Sequence, residues 1–193
     1  MFFEPKIYSN ISSGSVEVVC GSMFSGKTQE LIRRLNQLKI AKKKFIVFKP
    51  AIDIRYDKNK IVSHNKDCIN ATVVNNIAEM KDLISDEEVI AIDEAQFFDE
   101  TLISLCNDLA DKGKRIIICG LDMDYLGIPF GIMPSLMAIS DSITKLHAIC
   151  SDCGNTANYS HRKGPDQNRI KIGEKDEYKA LCRVCFNSKK NHE

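Results

Sequence analysis

The chain has 193 residues, 27 Lys plus Arg against 26 Asp plus Glu, and 44% hydrophobic residues. That is near the size of one domain, with an ordinary globular composition that excludes general disorder. The formal charge of +1 excludes a nucleic-acid binder that works through overall basicity, and no apolar run approaches the roughly 18 residues that cross a bilayer. Met1 to Ser15 holds Glu4, Pro5, Ser9, Asn10 and Gly14 and has no continuous apolar stretch, so no secretory signal is expected there. A cytoplasmic location is therefore expected, where thiols stay reduced.

In chain order, Val16 to Cys20 reads as a short strand ending at Gly21. Thr28 to Lys43 reads as a helix, because Leu31, Ile32, Leu35 and Leu38 repeat at helical spacing. Phe45 to Phe48 is a second strand, closed by Pro50, and Ile77 to Ile84 a short helix. Val89 to Ile92 is a third strand, apolar throughout, as a strand covered on both faces should be. Thr101 to Asp111 reads as a helix with Thr101 as N-cap and Gly113 past its end. Ile116 to Cys119 and Ile143 to His147 complete the strands. Strands separated by helices imply βαβ units, a parallel sheet and an α/β fold. The composition changes near residue 150, which divides the chain into 1–149 and 150–193. The second part is expected to be too small for its own core, and the tail from Asn187 to fray. Cys20, Cys68, Cys106 and Cys119 sit among apolar residues and read as small buried hydrophobes.

Gly21-Ser22-Met23-Phe24-Ser25-Gly26-Lys27-Thr28 fits G-x-x-x-x-G-K-[ST], with a strand before it and a helix after it. Two glycines let the backbone wrap a phosphate so that N–H groups point inward. The helix N-terminus adds positive potential, Lys27 reaches the β- and γ-phosphates, and the Thr28 hydroxyl suits Mg²⁺. The pattern marks a nucleoside triphosphate site and leaves the acceptor open. The third strand runs into Asp93-Glu94, at the edge of a parallel sheet where ligands bind. Asp93 is placed to hold Mg²⁺, and Glu94 to deprotonate an attacking hydroxyl. After the second strand, Arg55 is a candidate to neutralise charge on the transferring phosphoryl group, and Asp53 to assist the metal. His64 reads as an ordinary loop histidine.

Cys150-Ser151-Asp152-Cys153 and Cys182-Arg183-Val184-Cys185 are two C-x-x-C knuckles with 28 residues between them. Four thiolates make a closed tetrahedral site for structural Zn²⁺. Redox dithiols and a nucleic-acid-binding zinc ribbon are the alternatives. The stretch between the knuckles mixes His161, Arg162, Lys163, Arg169, Lys171 and Lys175 with Asp166, Glu174, Asp176 and Glu177, which weakens the second.

Taken together, the loop Met23-Phe24-Ser25-Gly26-Lys27-Thr28, the strand ending Asp93-Glu94-Ala95-Gln96-Phe97-Phe98, the Gly120-Leu121-Asp122 turn, the Pro129-Phe130-Gly131 triplet and the two late knuckles resemble the type II, zinc-containing thymidine kinases. The resemblance runs from about Val16 to Cys185. It implies a RecA-like P-loop domain with a small C-terminal zinc-binding lasso domain. It implies transfer of the ATP γ-phosphate to the 5′-hydroxyl of thymidine or deoxyuridine, a homotetramer, and feedback inhibition by dTTP, without nucleic-acid or membrane partners. Carried over by position, Glu94 is the base, with Lys27 and Arg55 as the other catalytic residues. Gln96 joins the phosphate loop, Asp53 and Asp93 in binding ATP and Mg²⁺. Met23, Phe97, Leu121, Tyr125, Phe130 and Tyr178 line the thymine pocket. The lasso stretch Arg169, Ile170, Lys171, Ile172 and Gly173 offers backbone groups to the base edge. The sequence departs from the family pattern at Ser22, where Pro is frequent, and at Leu126 and Ile132 around the Pro-Phe-Gly turn.

Helicases, regulatory GTPases and zinc-ribbon ATPases also combine some of these parts. A helicase needs two RecA-like domains, and this chain has room for one. Asn65-Lys66-Asp67 lacks the guanine-binding spacing, and Asp124-Tyr125-Leu126-Gly127 comes after the Asp93 strand, in the wrong order for a GTPase.

Overall fold

Runs such as Val89–Ile92 and Ile116 to Cys119 have no polar face, so strands built from them must be covered on both sides. The computed structural model describes residues 14–53, 60–62, 68–164 and 177–190, and places these runs in the middle of a sheet. The elements in order are β1 (Ser15–Gly21), α1 (Lys27–Ile40), β2 (Phe45–Pro50), β3 (Lys60–Val62), β4 (Cys68–Asn70), β5 (Thr72–Val74), α2 (Ile77–Leu83) and β6 (Val89–Ile92). A 3₁₀ turn at Ala95–Phe97 follows, then α3 (Thr101–Asp111), β7 (Arg115–Gly120), α4 (Met133–Ile139) and β8 (Ser142–Leu146). The chain closes with β9 (Ala148–Ile149), β10 (Thr156–Ala157), β11 (Tyr159–Arg162), β12 (Tyr178–Leu181) and α5 (Arg183–Lys190).

Six strands form one parallel sheet in the order β5-β2-β6-β7-β1-β8. Strand β7 stands between β1, which leads into the phosphate loop, and β6, which leads into the acid pair. This is the RecA-like arrangement. Side chains alternate across the sheet, so each central strand feeds two cores. Ile90, Ile92, Ile116 and Ile118 face the layer of α2, α3 and α4, where Met80, Leu102 and Met133 are fully buried. Val89, Ala91, Ile117 and Cys119 face α1 and the β3–β4 hairpin, against Leu31, Leu35 and Ile61.

Several local expectations change. Thr101 opens α3 but does not cap it: Asp99 accepts both its N–H, at 2.9 Å, and its hydroxyl, because an aspartate two residues back reaches the free helix end better. Cys68 is exposed, since strand alternation turns its neighbour Ile69 inward and Cys68 out. Cys20, Cys106 and Cys119 are buried as expected. Burial pushes the Cys20 thiol up to about 11 and Cys106 up to about 12, so both stay protonated and unreactive. The tail does not fray at Asn187, because α5 continues to Lys190 and docks Phe186. The C-terminal part also has a cluster around the cysteines, built from Ala157, Tyr159, Leu181 and Phe186 and joined by Ala148 from the end of 1–149. It is small, and Phe24 of the phosphate loop and Met123 of the turn after β7 pack against it. Among the described residues no helix is long and apolar enough to cross a membrane.

Candidate active site and metal centre

The phosphate loop is shaped by close approaches. A Cβ on Gly21 (φ +144°) would sit 2.2 Å from the Leu146 carbonyl oxygen of the neighbouring β8, so only glycine fits there. Gly26 (φ +88°) forms the left-handed step into α1. Phe24 holds a positive φ of 64° without being glycine, a strained conformation of the kind that collects at functional sites. Lys27 is the first residue of α1 and is 8% exposed. Its Nζ donates to the Ser22 carbonyl at 2.8 Å, which folds the ammonium back over the loop. The hydroxyls of Ser22 and Ser25 are buried with no hydrogen-bond partner among the described residues. Orphaned donors beside a buried ammonium, at a helix N-terminus, are the chemistry of a phosphate cradle.

The acid pair lies at the same edge of the sheet. Asp93 is 4% exposed and Glu94 8%. The Asp93 N–H is held by the Phe48 carbonyl of β2 at 2.9 Å, and its Oδ1 accepts the Glu94 N–H at 3.1 Å. Glu94 is the second non-glycine site residue in the left-handed region, at φ 52°. That kink turns the chain from β6 into the 3₁₀ turn and brings Glu94 within 2.6 Å of the Gln96 amide. Gln96, expected among the ATP and Mg²⁺ residues, has its amide engaged with Glu94 at one end and with the Leu121 N–H at the other. Asp53 follows β2 on a turn closed by its N–H to Pro50. Arg55, His64 and the lasso stretch Arg169–Gly173 lie outside the described residues.

The expected thymine-pocket residues sit on two linked surfaces. Phe97 and Phe130 meet edge to face, with centroids 5.8 Å apart. Residues 122–130 form a tight turn in which the buried Asp124 carboxylate accepts the Leu126 and Ile128 N–H groups at 3.0 and 3.1 Å. Leu126 is therefore an exposed turn tip, while Ile132 is buried at the start of α4. Tyr125 on this turn lies under the Arg162 guanidinium, 3.8 Å from its ring centroid. Arg162 also donates to the Tyr178 hydroxyl at 2.8 and 3.1 Å, so one buried cation ties Tyr125 to Tyr178. The Met23 N–H of the phosphate loop donates to Ser160 Oγ on β11 at 2.9 Å. Arg162, Ser160 and Asp124 were not singled out as site residues in the sequence. The alternation of Tyr159-Ser160-His161-Arg162 was the available signal, weak in a strand of four residues.

The four cysteines converge. The Sγ atoms of Cys150, Cys153, Cys182 and Cys185 all lie within 4.8 Å of one another, and Cys153 and Cys182 are 3.6 Å apart. Tetrahedral Zn²⁺ with bonds of about 2.3 Å needs sulfur separations of about 3.8 Å, so the donor set fits zinc. The Cys185 N–H and the Asn155 amide point at Cys182 and Cys153 Sγ, as outer-shell donors do around a thiolate site. The surroundings treat the four thiols unequally. Burial works against ionising Cys150, but the N–H groups of Cys182, Asp152 and Cys153 outweigh it and hold Cys150 down to about 6. Hydrogen bonds with Cys153 and Cys182 push Cys185 up to about 12. Cys150, Cys153, Cys182 and Cys185 would hold a dication, which would favour all four as thiolates. Lys189 and Lys179 hold Asp152 below the usual carboxylate range and strap the first knuckle to α5 and β12.

A family model described as thymidine kinase matches residues 14–186. Similar proteins include the thymidine kinase of Porphyromonas gingivalis, 52% identical over 177 residues, covering 92% of this chain and 87% of that protein. The thymidine kinase of Bacteroides fragilis is 48% identical, covering 96% and 94%, and that of a Rhodothermus species 46% identical, covering 96% and 88%. Among solved structures, a DNA replication initiation factor aligns with a TM-score of 0.43 and 17% identity, over 71% of this chain and 41% of that one. With the phosphate cradle, the acid pair and the cysteine cluster in the order the resemblance requires, the chain belongs to the thymidine kinase family and is a phosphotransferase.

Proposed function

We propose that the protein transfers the γ-phosphoryl group of ATP to the 5′-hydroxyl of thymidine, giving dTMP and ADP, with deoxyuridine as a second substrate. The observation that carries this reading is a buried carboxylate, Glu94, at the sheet edge that also bears the phosphate loop. In this reading Glu94 accepts the proton of the 5′-hydroxyl as its oxygen bonds to the γ-phosphorus, and the bond to the ADP oxygen breaks. Lys27, the loop N–H groups and Arg55 offset the phosphoryl charge. Thr28, Asp93 and Asp53 supply the hard oxygen ligands that suit Mg²⁺. When bound with ATP, that ion neutralises charge on the β- and γ-oxygens. Met23, Phe97, Leu121, Tyr125, Phe130 and Tyr178 wall a flat base, and residues 169–173 close over it and exclude water.

The cysteine centre, holding Zn²⁺, fixes both ends of that lasso, with 1–149 and 150–193 as the two functional units. A pocket for thymidine beside a triphosphate cradle also admits dTTP, with its base on the aromatic walls and its phosphates in the loop, which makes feedback inhibition competitive. Among the described residues no strand pairs with the outer side of β8, where Ile143 is exposed, and self-association into a homotetramer would cover such a surface. Four thiols that must stay reduced to hold a metal fit residence in the cytoplasm.

A coupled ADP assay across a panel of nucleosides tests the reading. ADP release should depend on thymidine or deoxyuridine and be matched by a 5′-monophosphate. Release that ignores nucleosides and responds to nucleic acid would sink it. Lys27→Ala should lower kcat/KM for ATP by roughly 100-fold or more, the scale of losing one buried charge on a reacting oxygen. An unchanged value in steady-state kinetics would remove Lys27 from the cradle.

A further inference from the structure

The Gln96 side chain is 4% exposed and joined at both ends. Its Nε2 donates to Glu94 Oε2 at 2.6 Å, and its Oε1 accepts the Leu121 N–H at 2.9 Å. The two partners make the orientation unique. An ionised carboxylate only accepts and a backbone N–H only donates, so a flipped amide would set oxygen against oxygen and hydrogen against hydrogen. The space around it is equally restrictive. A Cβ on Gly120 would lie 2.7 Å from Gln96 Oε1, and one on Gly131 would lie 2.6 Å from the Gln96 carbonyl oxygen. Two glycines on either side of the 122–130 turn thus let the backbone close onto this one residue. Glu94 sits on a strained backbone at φ 52°, and its side chain has rotamers to lose.

We propose that Gln96 is a positioning residue: it fixes the plane of the Glu94 carboxylate and couples it, through Leu121, to the turn carrying Tyr125 and Phe130. This rests on the reading of Glu94 as the base. Its effect is on aim, since a carboxylate misplaced by an ångström loses much of the benefit of proximity. The bond from Gln96 to a charged acceptor belongs to the stronger class of hydrogen bonds.

Gln96→Met keeps length and bulk and removes both bonds. Gln96→Asn keeps the amide but cannot span both partners, and serves if the first variant fails to fold. Either should lower kcat about 10- to 100-fold, the scale of one hydrogen bond to a charged group, while KM for ATP stays within about threefold. The decisive measurement is the double variant. In a Glu94→Gln background, Gln96→Met should lower single-turnover phosphoryl transfer no further, because nothing remains to be aimed. If the two losses multiply, Gln96 acts elsewhere and this proposal falls while the base assignment stands. A Glu94→Gln enzyme with near-normal turnover would remove the base assignment and this proposal with it.

Discussion

Glu94→Gln is expected to lower kcat by about 100-fold or more and to leave ATP affinity nearly unchanged, since loss of a general base typically costs 10²- to 10⁴-fold. The variant isolates charge from shape. Glutamine has almost the same volume, meets the same left-handed backbone at φ 52°, and still offers an oxygen to the Gln96 amide. Under the proposed function, what it lacks is a proton acceptor for the 5′-hydroxyl as the oxygen attacks phosphorus. The phosphate loop, with Lys27 folded over the Ser22 carbonyl, is untouched, so nucleotide titration should give the parent dissociation constant. Steady-state kinetics against thymidine decide the matter. Near-normal kcat would take Glu94 out of the reaction, whereas a loss confined to KM would make it a binding group.

Cys182→Ser is expected to abolish stoichiometric zinc and to lower the melting temperature sharply. The four sulfurs lie within 4.8 Å of one another in a unit with only a small apolar cluster. Structural zinc sites contribute apparent binding free energies of about 10–16 kcal/mol, coupled to folding. Even a loss of about 3 kcal/mol lowers Tm by roughly 6–12 °C in a chain this size. Cys182 also connects to the rest of the unit: its carbonyl accepts the Phe186 N–H at 2.9 Å, and Phe186 stacks on Tyr159 at 4.5 Å. Metal analysis by mass spectrometry and a thermal melt check the two halves of the prediction. A parent protein that contains no zinc would overturn the assignment.

The parts of the molecule legible in the sequence were those where local spacing carries the physics. The central strands announced themselves because β6 and β7 are buried on both faces, and α1 because Leu31, Ile32, Leu35 and Leu38 share a face. The phosphate loop, the acid pair and the knuckles are short patterns whose chemistry fixes residue type. The hairpin β3–β4 and strand β5 have three residues each, too few for a period to show. Helix α4 has only seven residues, too few for a clear helical period, and its Pro134 stands in the first turn, where the lacking N–H costs nothing. Strands β9 to β12 are arranged about the cysteine cluster instead of an extended apolar face, so no hydrophobic rhythm marks them. Arg162 looked like a loop cation. Its burial depends on Tyr125 and Tyr178, and the first of these is distant in sequence.

The bond from the Met23 N–H to Ser160, with Phe24 packed on the cysteine-centred cluster, has a consequence for the order of events. The phosphate loop and strand β11 share one backbone anchor. Under the proposed function, any change one substrate makes in the other's affinity through this anchor is reciprocal by thermodynamic linkage, and a double titration of donor and acceptor reads its size and sign.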